Sequence, residues 1–254
     1  MEIKKILEQF NELAPLSLSY DAQKNLGHYD NSGLIMDCST ETDCVVCALD
    51  FTDKVVDYAI EVGAKLIITH HPAIYHGIKT INGTYIKAIS AGITVYSAHL
   101  NLDAAAGGID DGLAKLAGAK DTKTLTFVNE NYGFGRIFKI KTEKAENVVN
   151  SVIGALNTTK YIFFGCKDAP ISTVATFCGA GLSEQGINLA SEADLLISAD
   201  IPHHVLLTAL DKGKCVLQLT HYASEAFAMK AFIEELFERK LKMKYYFCVD
   251  ERFI

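Results

Sequence analysis

The sequence predicts an α/β protein with two lobes, each built on a mixed or mainly parallel sheet, and a metal-binding cleft between them. Short apolar, β-branched runs alternate with helical patterns along most of the 254 residues. This alternation is typical of βαβ units. Hydrophobic residues make up 49% of the chain, which is enough for a full core. The pattern is interrupted once, between Gly118 and Asn131, where lysines and threonines follow no apolar period.

The first half contains three predicted strands and four predicted helices. The strands lie near 44–50, 65–70 and 94–100, and the helices near 2–13, 53–62, 84–91 and 109–117. The helix near 53–62 has clear ends, because Thr52 or Asp53 can cap its first turn and Gly63 can end it.

The second half repeats this alternation after the interruption. We expect strands near 133–140, 172–178, 194–199, 214–220 and 244–250, and helices near 144–156, 184–191, 203–211 and 223–240. Since 118–131 resembles a connection, the predicted lobes are residues 1–125 and 126–254.

Composition argues against several classes of function. The net charge of −7 disfavours non-specific attraction to nucleic acid. No apolar stretch approaches the roughly 20 residues that span a bilayer, and charges interrupt the amino-terminal segment, so a cytoplasmic location is expected. Seven scattered cysteines predict no disulfide framework. Cys44 and Cys47 have C-x-x-C spacing, but we interpret them as buried thiols of a strand, in preference to a zinc or redox pair.

Three predicted strands are followed by residues of the types that commonly bind metals. His70 and His71 follow the second strand, and His99 and Asp103 follow the third. His221 and Glu225 follow the strand near 214–220. In open α/β sheets, ligands bind beyond the carboxyl ends of strands, so we expect these clusters to meet.

The spacing within each cluster supports convergence. Pro72 prevents regular pairing after His71, so both imidazoles can turn to one site. His99 and Asp103, like His221 and Glu225, are four residues apart and share one face at a helix start. We expect Glu225 in the first turn of the helix near 223–240, where the dipole favours its ionised form. Six ligands exceed the needs of one tetrahedral zinc but suit two bridged ions.

Two other segments allow more than one interpretation. His203 and His204 follow a strand end, and we favour a helix start with Asp200 as its cap over a proton donor or substrate contact at the cleft. The glycine turn 178–183 could bind an anion, but a tight turn is the safer interpretation. His28 and His76 lie in loops without a ligand-like spacing.

At these residues the chain resembles the Nif-three-like family (NGG-one-interacting factor three), whose bacterial members are known as GTP cyclohydrolase I type 2 homologues. The resemblance rests on Y-D-N-S-G-L at 29–34 (the family has tryptophan first), H-H-P at 70–72, H-L-N-L-D-A at 99–104 and H-Y-A-S-E at 221–225, with glycine pairs at 107–108 and around Ala180.

The resemblance implies two α/β domains, a dinuclear metal site and a homohexamer. It implies His70, His71, Asp103, His221 and Glu225 as metal ligands, with His99 a ligand or a neighbour of the metals and our candidate for proton transfer. The mixed ligands are compatible with zinc, iron or manganese, and we expect one of these metals. We expect a metal-dependent hydrolase acting on a small, nucleotide-like substrate; the alternative is a non-catalytic metal-binding or regulatory scaffold.

Overall fold

The protein is an α/β protein with two mixed sheets, as predicted. A computed structural model describes residues 1–81 and 83–254. The helices are α1 (Ile3–Leu13), α2 (Ser17–Leu26), α3 (Asp53–Val62), α4 (Gly83–Ser90), α5 (Leu100–Ala104), α6 (Ile109–Leu116), α7 (Ala145–Ala155), α8 (Glu184–Leu189), α9 (His203–Asp211) and α10 (His221–Glu234). A π-helical segment, Glu235–Leu241, follows α10, and a 3₁₀ turn forms at Glu251–Phe253.

The strands form a five-stranded and a six-stranded sheet. They are β1 (Gly33–Met36), β2 (Val45–Ala48), β3 (Leu66–Thr69), β4 (Thr94–Ser97), β5 (Lys123–Phe127), β6 (Gly133–Lys144), β7 (Tyr161–Phe164), β8 (Pro170–Thr176), β9 (Leu195–Ala199), β10 (Cys215–Leu219) and β11 (Tyr245–Cys248). The first sheet has the order β1-β4-β3-β2-β11 and is parallel except at β1. The second has the order β5-β6-β8-β9-β10-β7, with only β8, β9 and β10 parallel.

Contacts divide the chain into two compact units. Unit 1 comprises Met1–Ala106 and Met229–Val249, and unit 2 comprises Gly107–Ala228 and Asp250–Ile254. This division differs from the predicted lobes 1–125 and 126–254. The chain returns to unit 1 to add β11 beside β2, and α6 packs on β6 and β8 of unit 2.

Each unit has an apolar core between its sheet and its helices. In unit 1, α3 and α4 pack on the central strands through a buried cluster that includes Val46, Val56, Ile67, Ala88 and Val95. In unit 2, α8 and α9 pack on β9 and β10 through Ile187, Leu196, Ala209 and Val216. The short parallel strands β2, β3 and β4 are buried at every residue, which explains why they appear in sequence as mainly apolar runs without alternation.

The local end signals of α3 are confirmed. The backbone N–H of Val55 donates to Thr52 Oγ1 at 3.4 Å, and Gly63 ends the helix in the left-handed region. Cys44 and Cys47 are buried thiols of the β2 segment, as interpreted. No helix within the described part of the chain is long and apolar enough to cross a membrane.

Several short elements were not predicted. They are α2, β1, α5, β5 and β7. The prediction that 118–131 is a plain connection was wrong, because it contains β5, which pairs with β6. Both β5 and β7 are edge strands with exposed residues, so they lack the apolar run that marks a buried strand.

A carboxylate ties β8 to the start of β9 in unit 2. Asp194 accepts hydrogen bonds from the backbone N–H groups of Ser172 at 2.8 Å and Thr173 at 2.9 Å, and from Ser172 Oγ at 2.8 Å. Burial alone would raise the pKa of Asp194, but these bonds outweigh it and hold the pKa below its ordinary value. The ionised carboxylate therefore stabilises the fold.

We expect Asp194→Ala to lower the free energy of unfolding by about 2–3 kcal/mol at pH 7, because three hydrogen bonds to a charged acceptor are lost. A group whose pKa is depressed by folding contributes stability above its unfolded pKa. The difference from wild type should therefore shrink as the pH falls below about 4. Urea unfolding at several pH values measures this. Asp168→Ala, at an exposed ion pair with Lys144, is the control and should change stability little; an equal loss in both variants would contradict the prediction.

Candidate metal centre

Two histidines are fixed at the carboxyl end of β3 in unit 1. The backbone N–H groups of His70 and His71 donate to the carbonyls of Ala48 and Leu49, which continues the pairing with the β2 segment beyond the strand. The His70 side chain is fully buried, and its Nδ1 lies 2.8 Å from the carbonyl oxygen of Ala98. Because a carbonyl only accepts, Nδ1 of His70 carries the proton.

Two further imidazoles in unit 1 are held by carboxylates. His71 Nδ1 lies 2.7 Å from Asp50 Oδ1, and His99 Nδ1 lies 2.8 Å from Asp30 Oδ1. Asp50 follows β2, so its carboxylate reaches His71 from the neighbouring strand end. A carboxylate that accepts from Nδ1 leaves Nε2 of a neutral imidazole with a free lone pair, which is the arrangement found in metal-binding histidines.

The three rings form one cluster. Ring centroids are 5.0 Å apart for His70 and His71, 5.3 Å for His70 and His99, and 5.8 Å for His71 and His99. One potential ligand atom from each of the three lies within 4.8 Å of the others. Asp103 joins them, with Oδ1 3.4 Å from His70 Nε2. The structure therefore brings together all four strand-end residues predicted for this unit.

The carboxylate of Asp30 is held in position to accept a hydrogen bond from His99. Ser32 Oγ donates to Asp30 Oδ2 at 2.6 Å and accepts from the backbone N–H of His99 at 2.9 Å. Burial alone would raise the pKa of Asp30, but hydrogen bonds from His99 and Ser32 help to hold that pKa below its ordinary value. Asp30 is thus ionised at neutral pH and orients His99.

Unit 2 carries the second pair of predicted ligands. His221 Nε2 lies 3.2 Å from Glu225 Oε2, four residues further along α10, and Glu225 is buried. His221 Nδ1 lies 2.6 Å from Asp200 Oδ2. The helix begins at His221 and not near residue 223, so the prediction that Glu225 lies in the first turn was wrong. The i,i+4 spacing on the helix is what brings His221 and Glu225 together.

Gly179 makes room for this pair. It has a φ of +49°, its N–H donates to Ser224 Oγ, and a Cβ added there would overlap Glu225 Oε1 and lie 3.0 Å from the His221 ring. Residues 178–181 therefore form a tight turn, as interpreted, and the sequence analysis missed its second role. Only glycine allows the backbone to approach the two side chains this closely.

The donor sets fit divalent metal ions. All four histidines have Nδ1 directed at a carbonyl or carboxylate oxygen, so Nε2 is the atom that each can present to a metal. Two buried carboxylates, Asp103 and Glu225, supply oxygen donors. Imidazole and carboxylate together suit zinc, iron and manganese.

His203 and His204, the other candidate residues from the sequence, are not part of the groups of potential metal ligands in the described residues. Both are exposed in the first turn of α9. Asp200 does not cap that helix as expected, because it has a φ of +46° and its carboxylate faces His221. Sequence analysis also missed Asp30, Asp50 and Asp200 as acceptors, although Asp50 and Asp200 directly follow strand segments as the histidines do.

Comparison with known proteins gives a consistent result. The Duf34/NIF3 (NGG1p interacting factor 3) family profile matches residues 1–251. The chain is 31% identical to the GTP cyclohydrolase 1 type 2 homolog of Methanocaldococcus jannaschii over 251 residues, covering 93% of this chain and 95% of that protein. It is 26% identical to NGG1-interacting factor 3 of Saccharomyces cerevisiae over 248 residues, covering 84% and 83%.

The fold is shared with solved structures. A hypothetical protein from Staphylococcus aureus aligns with a TM-score of 0.85 at 23% identity, covering 98% of this chain and 97% of that one. That likeness concerns the fold alone, whereas the profile match extends through both units and includes every residue of the candidate metal centre. The chain therefore belongs to the Duf34/NIF3 (NGG1p interacting factor 3) family.

Proposed function

We propose that this protein is a metal-dependent hydrolase that binds two divalent ions and acts on a nucleotide-like substrate. The proposed metal ligands are His70, His71, Asp103, His221 and Glu225, and the proposed ions are zinc, iron or manganese. The observation that carries the proposal is the Nδ1 bonding of the four histidines, because an acceptor at Nδ1 fixes each ring with Nε2 as the atom that can bind a metal.

The two ions would supply Lewis acidity, which activates water and polarises the bond under attack. His70 and Asp103 would bind from buried positions, and the carbonyl of Ala98 fixes the orientation of His70. Asp103 and Glu225 would supply negatively charged oxygen donors to these ions.

His99 is the proposed proton-transfer residue. Its Nδ1 bonds to the ionised Asp30, so Nε2 is the atom that would accept or release a proton. Asp30 would stabilise the imidazolium that forms, as a carboxylate does for a catalytic histidine. His99 also lies in the group of three histidines, so it can serve as a further ligand.

The substrate class follows from resemblance. The M. jannaschii relative is a GTP cyclohydrolase 1 type 2 homolog, so a nucleotide is the first substrate to test. The second candidate function is a non-catalytic metal-binding or regulatory scaffold, which the S. cerevisiae relative favours because it is an NGG1-interacting factor. A cytoplasmic location and a homohexamer remain predictions.

Metal content measured beside activity tests the proposal. We expect purified protein to hold two ions per chain and to turn over GTP or a related nucleotide. Asp103→Asn and Glu225→Gln should each lose at least one ion, and activity should fall by at least about 100-fold, more than is typical when a group that only orients a ligand is removed.

The matched controls are Glu61→Gln in unit 1 and Glu192→Gln in unit 2, both at exposed positions, which should retain metals and activity. Full metal content with no turnover of nucleotides or phosphoesters would favour the scaffold. Full metal content in both ligand variants would contradict the metal site itself.

A further inference from the structure

An aromatic group adjoins the histidine cluster of unit 1. Tyr29, Tyr75 and His76 contact one another, with centroids 5.5 Å apart for Tyr29 and Tyr75, 5.2 Å for Tyr29 and His76, and 4.6 Å for Tyr75 and His76. The Tyr75 ring also meets His99 edge to face at 5.8 Å. These three residues, which we name the aromatic platform, therefore extend from a proposed proton-transfer residue to the surface.

The aromatic platform is held in place by hydrogen bonds. Tyr75 Oη donates to the carbonyl of Tyr29 at 2.9 Å, and Asn31 Nδ2 donates to the carbonyl of Ile74 at 2.6 Å. Tyr85 Oη donates to the carbonyl of Ala73 at 2.8 Å. The loop after Pro72 is thus fastened to the segment 29–31 and to α4, so the rings do not need to be ordered when a ligand arrives.

The segment 29–32 contributes both to the aromatic platform and to the orientation of His99. Tyr29 supplies a ring of the aromatic platform, and the adjacent Asp30 orients His99. Ser32 bonds to both Asp30 and His99. A shift of this segment would move the aromatic platform and the histidine together, so their separation is fixed.

The two tyrosine rings of the aromatic platform are accessible to a ligand. Tyr29 is 45% exposed and Tyr75 is 38% exposed, and they differ from the other exposed aromatic residues by lying beside the histidine cluster. Fixed, half-exposed aromatic faces beside a cluster of polar groups are typical of sites that bind a planar ligand, because every planar unsaturated ring can stack on them.

We propose that the aromatic platform binds the planar heterocyclic ring of the substrate by stacking and so holds it against the histidine cluster. This deepens the proposed function and rests on it for the identity of the reacting site. The chemistry required of the ligand is a flat, unsaturated ring, as in a purine base or a pterin. Sugars and simple phosphoesters lack such a ring and are not held there.

The chain has no tryptophan, which provides a direct test. Tyr29→Trp introduces a single fluorescent reporter into the aromatic platform. Guanosine is the ligand, and ribose is the control without a planar ring. We expect guanosine to quench the fluorescence of the introduced indole saturably and ribose to have no effect. Adding Tyr75→Leu should raise the Kd for guanosine by about tenfold or more, as expected for loss of a stacking partner.

A second reporter excludes non-specific quenching. Tyr161→Trp lies on the exposed β7 strand of unit 2 and should not be quenched saturably. Saturation-transfer NMR on wild-type protein needs no substitution, and the base protons of guanosine should receive more saturation than the ribose protons. Equal quenching of both reporters, or equal saturation of base and ribose, would overturn the proposal.

Metal content, measured on the same samples, separates this proposal from the preceding one. Guanosine binding with the expected Tyr75→Leu effect in protein that holds no metal would support the aromatic platform and contradict the dinuclear site. Two bound ions together with no guanosine binding would support the dinuclear site and overturn the aromatic platform.

Discussion

Gly179→Ala is expected to weaken metal binding by the His221 and Glu225 pair strongly. The new Cβ would overlap Glu225 Oε1, well inside van der Waals contact. Glu225 is buried beside His221, so its carboxylate cannot swing into solvent to relieve the clash. We expect the affinity for zinc or manganese, measured by competition with a chromophoric chelator, to fall by about 100-fold. This is the upper end of the loss in affinity that follows when a group that orients a metal ligand is changed.

A second glycine in unit 2 provides the matched control. Gly213 has a φ of +73°, but a Cβ there would meet nothing within 4 Å. Gly213→Ala therefore carries the backbone cost of about 1 kcal/mol or more for a left-handed alanine, without the clash. It should lower the melting temperature and leave metal affinity unchanged. If Gly179→Ala lost stability as Gly213→Ala does but kept full affinity, the role assigned to Gly179 would be wrong.

The candidate site could be located from the sequence because its ligands follow buried strands. The segments ending at His70, His99 and His221 are short, mainly apolar runs, and all three strands, β3, β4 and β10, are observed. The carboxyl ends of parallel strands lie at one edge of a sheet, so the grouping of His70, His71, His99 and Asp103 within unit 1 followed directly.

The groups that orient these ligands could not be predicted in the same way. Asp30 is 69 residues from His99, and Asp50 is 21 residues from His71. No local period links a carboxylate to a ring across such distances, and only the sheet order, with β2 beside β3, brings Asp50 to His71. The aromatic platform was missed for the same reason, since Tyr29 and Tyr75 meet through loops.

The short edge elements illustrate a second limit. β5 and β7 are partly exposed, so their sequences alternate weakly and resemble loops. Both are recruited by pairing with a longer neighbour, β6 or β10, and such tertiary pairing overrides local propensity. The α6 helix was predicted, but its packing on β6 and β8 was not, because local patterns carry no indication of which unit a helix joins.

Asp30→Ala is expected to weaken metal binding or turnover, because it changes which nitrogen of His99 carries the proton. The Asp30 side chain is 2% exposed, and it accepts from His99 Nδ1 at 2.8 Å and from Ser32 Oγ at 2.6 Å. Without it, Nδ1 of His99 has lost its acceptor and the neutral ring can place its proton on Nε2. The ring then offers no lone pair towards His70 and His71. We expect metal affinity or turnover to fall about 10–100-fold, the usual effect of removing a carboxylate that orients a metal-site histidine.

Conservative and remote substitutions distinguish orientation from simple loss of charge. Asp30→Asn keeps an oxygen that can accept from Nδ1, so it should recover part of the loss seen in Asp30→Ala. Asp57→Asn also removes one negative charge from unit 1, but at an exposed ion pair with Lys87, and it should leave affinity and turnover unchanged. NMR of the imidazole nitrogens should show the Nε2-protonated tautomer of His99 gaining population only in the Asp30 variants. An unchanged tautomer in Asp30→Ala would show that Asp30 does not set the form of His99, and any loss of affinity would then come from packing alone.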